Sequence, residues 1–284
     1  MTHTALSLFL FTADLATARR AERAGIDNVI VDWEQHDKHS RQEGQNTEIN
    51  DHSPDDVLRL SSQLRIPVTV RINPLHGGTA AEIQCALDHG ATTLMLPMAS
   101  TPKEVDAFLR LVAERAKTLV QVETQSLARQ SDALASLPWD YVHVGLNDLK
   151  ISRRDRWLWS PLVDGTVERI CRALPDRAVG FGGGTILGGG VPIPFMSLFQ
   201  EMARLNARVL FLRRSFLQEV VGRDWTREIH ALRAAWAALQ QRDPAAIQRD
   251  HSTLIRLLNG LAPSLHDSSF SSPSFCPFPS AVAP

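Results

Sequence analysis

Short apolar runs alternate with longer amphipathic stretches along most of the chain. This alternation is typical of βα units, in which a buried strand is followed by a helix that covers the sheet. Continuous apolar runs such as Val29-Ile30-Val31 favour parallel strands buried on both faces. The runs that qualify as strands are residues 6–11, 28–34, 68–73, 93–98, 118–124, 141–149, 178–183 and 208–216. Eight such repeats in about 250 residues predict a (β/α)8 TIM barrel.

An open, doubly wound sheet is the competing architecture. It normally carries a glycine-rich phosphate turn after its first strand. Here the first strand is followed by Thr12-Ala13-Asp14, without a G-x-G-x-x-G pattern. The barrel is therefore the favoured prediction.

Helix start and stop signals support the same division of the chain. Asp14 can cap a helix that ends at Gly25, and Thr101 precedes Pro102 at a second predicted helix start. We predict a catalytic barrel over residues 1–222, followed by extra C-terminal helices over 223–262. These helices could be exchanged with a neighbouring subunit. Residues 263–284 are rich in serine and proline and predict a disordered tail.

Composition limits the classes of partner. The chain has 30 basic and 31 acidic side chains, so its net charge of −1 provides no overall field for nucleic acid or an anionic membrane. No apolar run approaches the ~20 residues of a membrane helix. The three cysteines lie far apart, which argues against disulfides and thiolate metal sites. We expect a cytoplasmic protein whose partner is a small molecule or another protein.

Polar residues follow several predicted strands, at the end where TIM barrels carry their active sites. They are Asp32 and Glu34 in V-D-W-E, Arg71 in V-R-I-N-P, Glu123 in Q-V-E-T and Asp148 in G-L-N-D-L. Two carboxylates at neighbouring strand ends form a hard oxygen site suited to Mg²⁺ or Mn²⁺. An opposing guanidinium can bind a carboxylate or an enolate oxygen.

These motifs, in this order and spacing, resemble the HpcH/HpaI family of 2-oxo-acid aldolases and citrate lyase beta subunits, over residues 6–222. The resemblance implies a divalent metal, Mg²⁺ or Mn²⁺, held by Glu123 and Asp148, and an enolate stabilised by Arg71. It further implies a class II type aldolase, a carbon–carbon lyase acting on an oxo or hydroxy acid, in a homo-oligomer. The residues predicted to bind substrate are Arg71, Gly145, Asn147 and Asp32, with backbone N–H groups of 146–148 forming an anion nest.

The general base is where the chain departs from the family pattern. Related aldolases carry V-D-x-E-H, whereas here Gln35 follows Glu34 and the histidine is His36. The prediction therefore names His36 and Glu34 as catalytic together with Arg71, with metal-bound hydroxide as a further alternative.

Three other functions stay open. An acyl-CoA lyase, acting on a CoA thioester, would need a basic groove, for which Arg153, Arg154 and Arg156 are the available cluster. A non-catalytic metal- and oxo-acid-binding protein would explain the shifted histidine. A Schiff-base aldolase would use Lys150, which is predicted to point outward. His143 is predicted to be a satisfied interior residue, and Arg213 to meet either an anionic substrate tail or acids of another subunit.

Overall fold

The computed structural model describes residues 5–35, 52–175 and 177–262. Their eight strands are parallel and close into a barrel in sequence order, with the first strand paired to the last. The strands are β1 (Ser7–Phe11), β2 (Asn28–Asp32), β3 (Val68–Arg71), β4 (Thr93–Leu96), β5 (Lys117–Val122), β6 (Tyr141–Val144), β7 (Ala178–Gly184) and β8 (Val209–Leu212). The predicted (β/α)8 TIM barrel is confirmed.

Helices surround the barrel. They are α1 (Leu15–Ala24), α2 (Pro54–Ser61), α3 (Thr79–Asp88), α4 (Pro102–Val112), α5 (Gln125–Arg129), α6 (Leu146–Arg153), α7 (Ser160–Val163), α8 (Thr166–Ala173), α9 (Phe195–Arg204), α10 (Arg214–Glu219), α11 (Trp225–Leu239) and α12 (Pro244–Leu261). A 3₁₀ turn, Ser131–Ser136, lies between α5 and β6.

Alternate residues of each strand point into the barrel and fill it, because successive side chains of a strand face opposite sides. The buried interior cluster consists of Phe9, Phe11, Ile30, Met95, Leu119, Val209 and Phe211. The outward side chains join a separate core beneath the helices. The barrel is thus a packed scaffold, and its polar chemistry is confined to the strand ends.

Capping residues start the helices where the sequence predicted. The Asp14 side chain accepts a hydrogen bond from the Thr17 backbone N–H, and Gly25 ends the same helix with a φ of 89°. Thr101 accepts from the Glu104 N–H at the start of α4. Each side chain satisfies a backbone donor that the first turn of a helix leaves unpaired.

Two of the predicted strands extend into residues that are helical in the structure. The strand predicted over 141–149 ends at Val144, and α6 begins at Leu146. The strand predicted over 208–216 ends at Leu212, and α10 begins at Arg214. The apolar run continues from strand to helix in both places, so its hydrophobicity alone does not mark the change. As a result, Asp148 lies in the first turn of a helix.

The C-terminal helices pack on the barrel of their own chain. Helix α11 lies against α1, and α12 against α9. Trp236 of α11 contacts the Phe199 ring, with 5.5 Å between ring centroids, and Trp225 meets Phe216 at 5.2 Å. Exchange of these helices with another subunit stays a prediction, and the proposed tail at 263–284 lies outside the described residues.

Candidate active site

A cavity of about 130 Å³ opens at the carboxyl ends of the strands. It brings together residues from β3, β5, β6, β7 and β8 and from the α6–α7 segment. Its lining residues are Arg71, Gln121, Glu123, His143, Gly145, Leu146, Asn147, Asp148, Leu158, Trp159, Gly182, Gly183, Phe211 and Arg213. Arg71, Glu123 and Asp148, which lie far apart in the chain, therefore share one cavity, as the sequence predicted.

Arg71 is fixed by carboxylates at the end of β2. Its Nε and Nη2 donate to the two oxygens of Asp32 at 2.8 and 2.7 Å. Its Nη1 lies 3.3 Å from a Glu34 carboxylate oxygen. Burial disfavours the charged guanidinium, but Asp32 and Glu34 outweigh burial and raise the pKa of Arg71 above its usual value. The guanidinium is therefore held charged and oriented before any ligand binds.

Asp32 occupies a different position from the one predicted for it. It is fully buried, does not line the cavity, and has both carboxylate oxygens bonded to Arg71. Its backbone N–H donates to His52 Nδ1 at 3.0 Å. Asp32 thus orients the guanidinium, and Glu34 is likewise buried outside the cavity lining. Substrate binding by Asp32 stays a prediction.

Glu123 is held from one side only. Its Oε1 accepts a hydrogen bond from the Met98 backbone N–H at 2.9 Å, and Met98 adopts a left-handed φ of 56° to present that N–H. Its Oε2 is buried and has no hydrogen-bond partner among the described residues. A buried carboxylate oxygen without a donor is costly, so it marks a place for a cation or a ligand donor.

The pKa of Glu123 also indicates that its carboxylate lacks a compensating positive charge. Burial raises its pKa to about 8, and the nearby carboxylates of Asp148 and Glu34 add to this, while Arg71 opposes them. Like charges that converge in a buried site favour protonation unless a cation compensates them. The carboxylate pair is therefore arranged for a positive charge.

Gly145 makes room for that carboxylate. A Cβ at this position would lie 2.5 Å from Glu123 Oε2. Gly145 is also the N-cap residue of α6, where it supplies no side-chain cap. The first N–H groups of α6 and the Asn147 side chain, whose Nδ2 is buried without a partner among the described residues, stand beside the cavity. Such a helix start attracts an anionic group.

Sequence reasoning missed several residues of this cavity. Gln121 accepts a hydrogen bond from Arg71 Nη1 at 3.3 Å, and His143 faces the interior of the barrel from β6. Each lies two positions before a predicted site residue, Glu123 and Gly145 respectively, and therefore points to the same side of its strand. This period of two was the signal that could have found them.

Arg213 lies at the cavity, where the sequence left two roles open. Its guanidinium carbon is 4.8 Å from the centre of the Phe11 ring, and that of Arg71 is 5.3 Å from the same ring. Phe11 thus supports two cationic groups, an arrangement that aromatic rings favour.

Other predicted residues are not brought to the cavity. Lys150 lies in α6 and does not line it. Arg153 is engaged in ion pairs with Asp155, at 2.8 Å, and with Asp164. His36 lies outside the described residues.

The donor set is compatible with a hard divalent cation. Among the described residues no group of three or more His, Cys, Asp or Glu side chains forms a metal cluster. Mg²⁺ and Mn²⁺ sites, however, often use one or two carboxylates and complete their shell with water and substrate. The Glu123 oxygen without a partner and the adjoining Asp148 fit that mode of binding.

The sequence pattern of the HpcH/HpaI aldolase/citrate lyase family matches residues 5–157, more than half of the chain. The chain belongs to this family. Its members are aldolases and lyases, and the matched segment contains Arg71, Glu123 and Asp148. No curated protein matches the sequence.

Solved structures share the fold at low sequence identity. The chain is similar to citrate synthase SbnG, with 16% identity and a TM-score of 0.55, over 84% of this chain and 94% of that one. It is similar to macrophomate synthase at 14% identity, with a TM-score of 0.54 and coverages of 84% and 86%. RipC from Yersinia pestis gives 17% identity, a TM-score of 0.51 and coverages of 87% and 100%.

No helix of the described residues is long and apolar enough to cross a membrane.

Proposed function

We propose that the protein is a divalent-metal-dependent carbon–carbon lyase of the aldolase type. It cleaves a hydroxy-oxo acid, or forms it in reverse, through the enolate of a pyruvate-like fragment. The observation that carries this proposal is the convergence of Arg71, Glu123 and Asp148 on one cavity, with a Glu123 oxygen left without a partner.

Arg71 supplies fixed positive charge for the enolate oxygen. Two of its nitrogens are engaged by Asp32 at 2.7 and 2.8 Å, while Nη1 lies 3.3 Å from both Glu34 and Gln121. The side chain is almost fully buried, so its charge acts in a partly dried site. A preorganised donor of this kind lowers the barrier for developing negative charge because it need not reorient.

Glu123 and Asp148 would hold the cation. A divalent cation there supplies Lewis-acid polarisation of the substrate carbonyl. The backbone N–H groups at the start of α6 bind the substrate carboxylate and fix its orientation, because the helix begins without a side-chain cap. Glu34 and His36 stay the predicted proton acceptors at the substrate hydroxyl.

Proton exchange tests this proposal without knowledge of the full substrate. Pyruvate in deuterated water should lose its methyl protons, seen by NMR, when the protein and Mg²⁺ or Mn²⁺ are present. Glu123→Gln and Asp148→Asn should each slow the exchange about 100-fold or more, because each removes a charged ligand. Glu168→Gln, which alters an acid paired with Arg204 outside the cavity, should leave it unchanged. Absence of exchange with either metal contradicts pyruvate as the enolate-forming half.

The acyl-CoA lyase alternative is less well supported. Arg153, one of the three arginines available for CoA phosphates, is already paired with Asp155 and Asp164. Turnover that depends on CoA thioesters would establish this alternative. Binding of metal and pyruvate without carbon–carbon cleavage over a broad substrate panel would instead support the non-catalytic alternative.

Homo-oligomer formation and a cytoplasmic location also stay predictions. Partners other than the small-molecule acid or its CoA thioester are not part of the proposal.

A further inference from the structure

His143 stacks on a phenylalanine across a glycine-rich strand. Its imidazole lies parallel to the Phe211 ring, with 3.7 Å between centroids and 8° between planes. The strand between them is β7, where Gly180 pairs with His143. A Cβ at Gly180 would come within 1.9 Å of the Val209 carbonyl oxygen, so only glycine fits there. The imidazole is thereby fixed at the cavity, with 3% of its surface exposed.

One backbone contact determines which ring nitrogen carries hydrogen. His143 Nε2 lies 2.8 Å from the Gly182 carbonyl oxygen. The register of β7 shifts between Gly180 and Gly183, and Gly182 has a φ of 66° within this irregularity. A carbonyl oxygen only accepts hydrogen bonds, so Nε2 must donate. In the neutral ring, Nδ1 is then an acceptor.

The environment keeps the ring neutral. Burial lowers the pKa of His143 to about 3, and the positive charges of Arg213 and Arg71 act in the same direction against the Gly182 contact. Nδ1 is therefore an acceptor throughout the neutral pH range. It is buried and has no hydrogen-bond partner among the described residues. Neither nearby guanidinium fills this role.

We propose that His143 is a specificity-determining residue whose Nδ1 accepts a hydrogen bond from a hydroxyl group on the half of the substrate that leaves as the carbonyl product. This inference rests on the proposed lyase function. The enolate-forming half, an oxo acid, offers only carboxylate and carbonyl oxygens, which are acceptors and cannot pair with Nδ1. We therefore assign the hydrogen to a hydroxyl of the other half, additional to the one that becomes its carbonyl. His143 selects hydroxylated fragments over apolar ones of the same size.

A matched pair of aldehydes tests the selection. Glycolaldehyde and propanal differ by a hydroxyl in place of a methyl group, and each is condensed with pyruvate in the presence of Mn²⁺. The wild type should favour glycolaldehyde in kcat/KM by about tenfold or more, because only the hydroxyl of glycolaldehyde can pair the buried acceptor. His143→Phe, which keeps a stacking ring, should reduce this preference by about tenfold. His143→Asn, which retains an acceptor, should recover part of it.

Proton exchange separates this inference from the function on which it rests. Glu168→Gln, which lies outside the cavity, should keep both the exchange of pyruvate methyl protons and the preference for glycolaldehyde. An unchanged aldehyde preference in His143→Phe would overturn the role of His143. Wild-type protein without exchange would instead overturn the lyase function, and this inference with it.

A spectroscopic measurement covers protein that exchanges pyruvate but condenses neither aldehyde. In protein labelled with ¹⁵N-histidine, the His143 Nδ1 resonance should shift when glycolaldehyde is added to the pyruvate complex, and not when propanal is added. His143→Phe identifies the resonance by its disappearance. Equal responses to the two aldehydes would count against the inference.

Discussion

The two sides of the cavity differ in how completely their polar groups are paired. On the β2–β3 side, Arg71 and Asp32 satisfy each other through two short hydrogen bonds, and Glu34 adds its charge. On the β5–β6 side, Glu123 Oε2 and His143 Nδ1 are buried without hydrogen-bond partners among the described residues. Both sides are almost completely removed from solvent.

This difference separates preorganisation from ligand binding. On the β2–β3 side the guanidinium is already hydrogen-bonded before any ligand arrives, so it can be held in place through a reaction. The β5–β6 side has acceptors without partners among the described residues, which a cation or a ligand donor can pair. The first side is therefore expected to respond to mutation mainly as a structural unit, and the second mainly as a binding site.

Arg71→Met should have the largest effect on stability and activity, because it removes the guanidinium that pairs the carboxylates of the β2–β3 side. It leaves the Asp32 and Glu34 carboxylates buried without their cation, which should lower the free energy of unfolding by about 3–5 kcal/mol. Pyruvate exchange should fall about 100- to 1,000-fold, since a preorganised donor to the oxyanion is lost. Urea unfolding followed by circular dichroism measures the first effect, and NMR the second.

Arg204→Met is the matched control. Arg204 also pairs with two acids, Glu168 at 2.8 Å and Glu201 at 2.7 Å, but it lies outside the cavity. This variant should lose stability and keep its exchange rate per folded molecule. Equal losses of exchange in the two variants would mean that Arg71 acts only through the fold.

Glu123→Gln should have an intermediate effect, and it should raise rather than lower the free energy of unfolding at high pH. It removes a buried carboxylate whose Oε2 has no hydrogen-bond partner among the described residues. The folded-state pKa of Glu123 is raised from 4.5 to about 8, so the folded protein binds more protons than the unfolded chain between these values. The contribution of Glu123 to the stability of the metal-free wild type should therefore be fully present below pH 4.5 and be lost as pH rises through about 8. The glutamine variant lacks this titration. It should be the more stable protein at pH 9, by on the order of a few kcal/mol.

Thermal unfolding with and without Mn²⁺ checks this effect. At pH 9, Mn²⁺ should stabilise the wild type, since binding to the folded state shifts the equilibrium, and should do so far less for Glu123→Gln. If the stability of the two metal-free proteins changed with pH in the same way, ionisation of Glu123 would not be what destabilises the fold at high pH.

The architecture could be predicted because βα alternation and helix caps are local signals. Asp14 and Thr101 start helices where their side chains suggested. The ends of β6 and β8 could not be placed, since the apolar run continues into α6 and α10. The need for glycine at position 145 comes from tertiary crowding by Glu123, which no local pattern contains.

The site divides in the same manner. Arg71, Glu123 and Asp148 were found because charged residues at the ends of apolar strands are conspicuous in a sequence. The pairing of Asp32 with Arg71 was not predicted, because it is decided by the register of two neighbouring strands. His143 was interpreted as satisfied. In the structure one ring nitrogen, Nε2, is hydrogen-bonded to the Gly182 carbonyl, and Nδ1 has no partner among the described residues. The position of that carbonyl depends on the irregularity of β7, which a sequence does not show.

Gly145→Ala should have the smallest effect, and it tests how closely the β5–β6 side of the cavity is packed. The added Cβ would lie 2.5 Å from Glu123 Oε2 and 3.0 Å from Glu123 Cβ, so the carboxylate must move. We expect a loss of about 1–3 kcal/mol in stability and a roughly tenfold rise in the Kd for Mn²⁺, because overpacking displaces a ligand. Gly188→Ala, where a Cβ meets nothing within 4 Å, is the control and should change neither quantity. Calorimetric titration with Mn²⁺ measures the affinity. An unaltered Kd in Gly145→Ala would place the cation away from the Glu123 oxygen that faces this glycine.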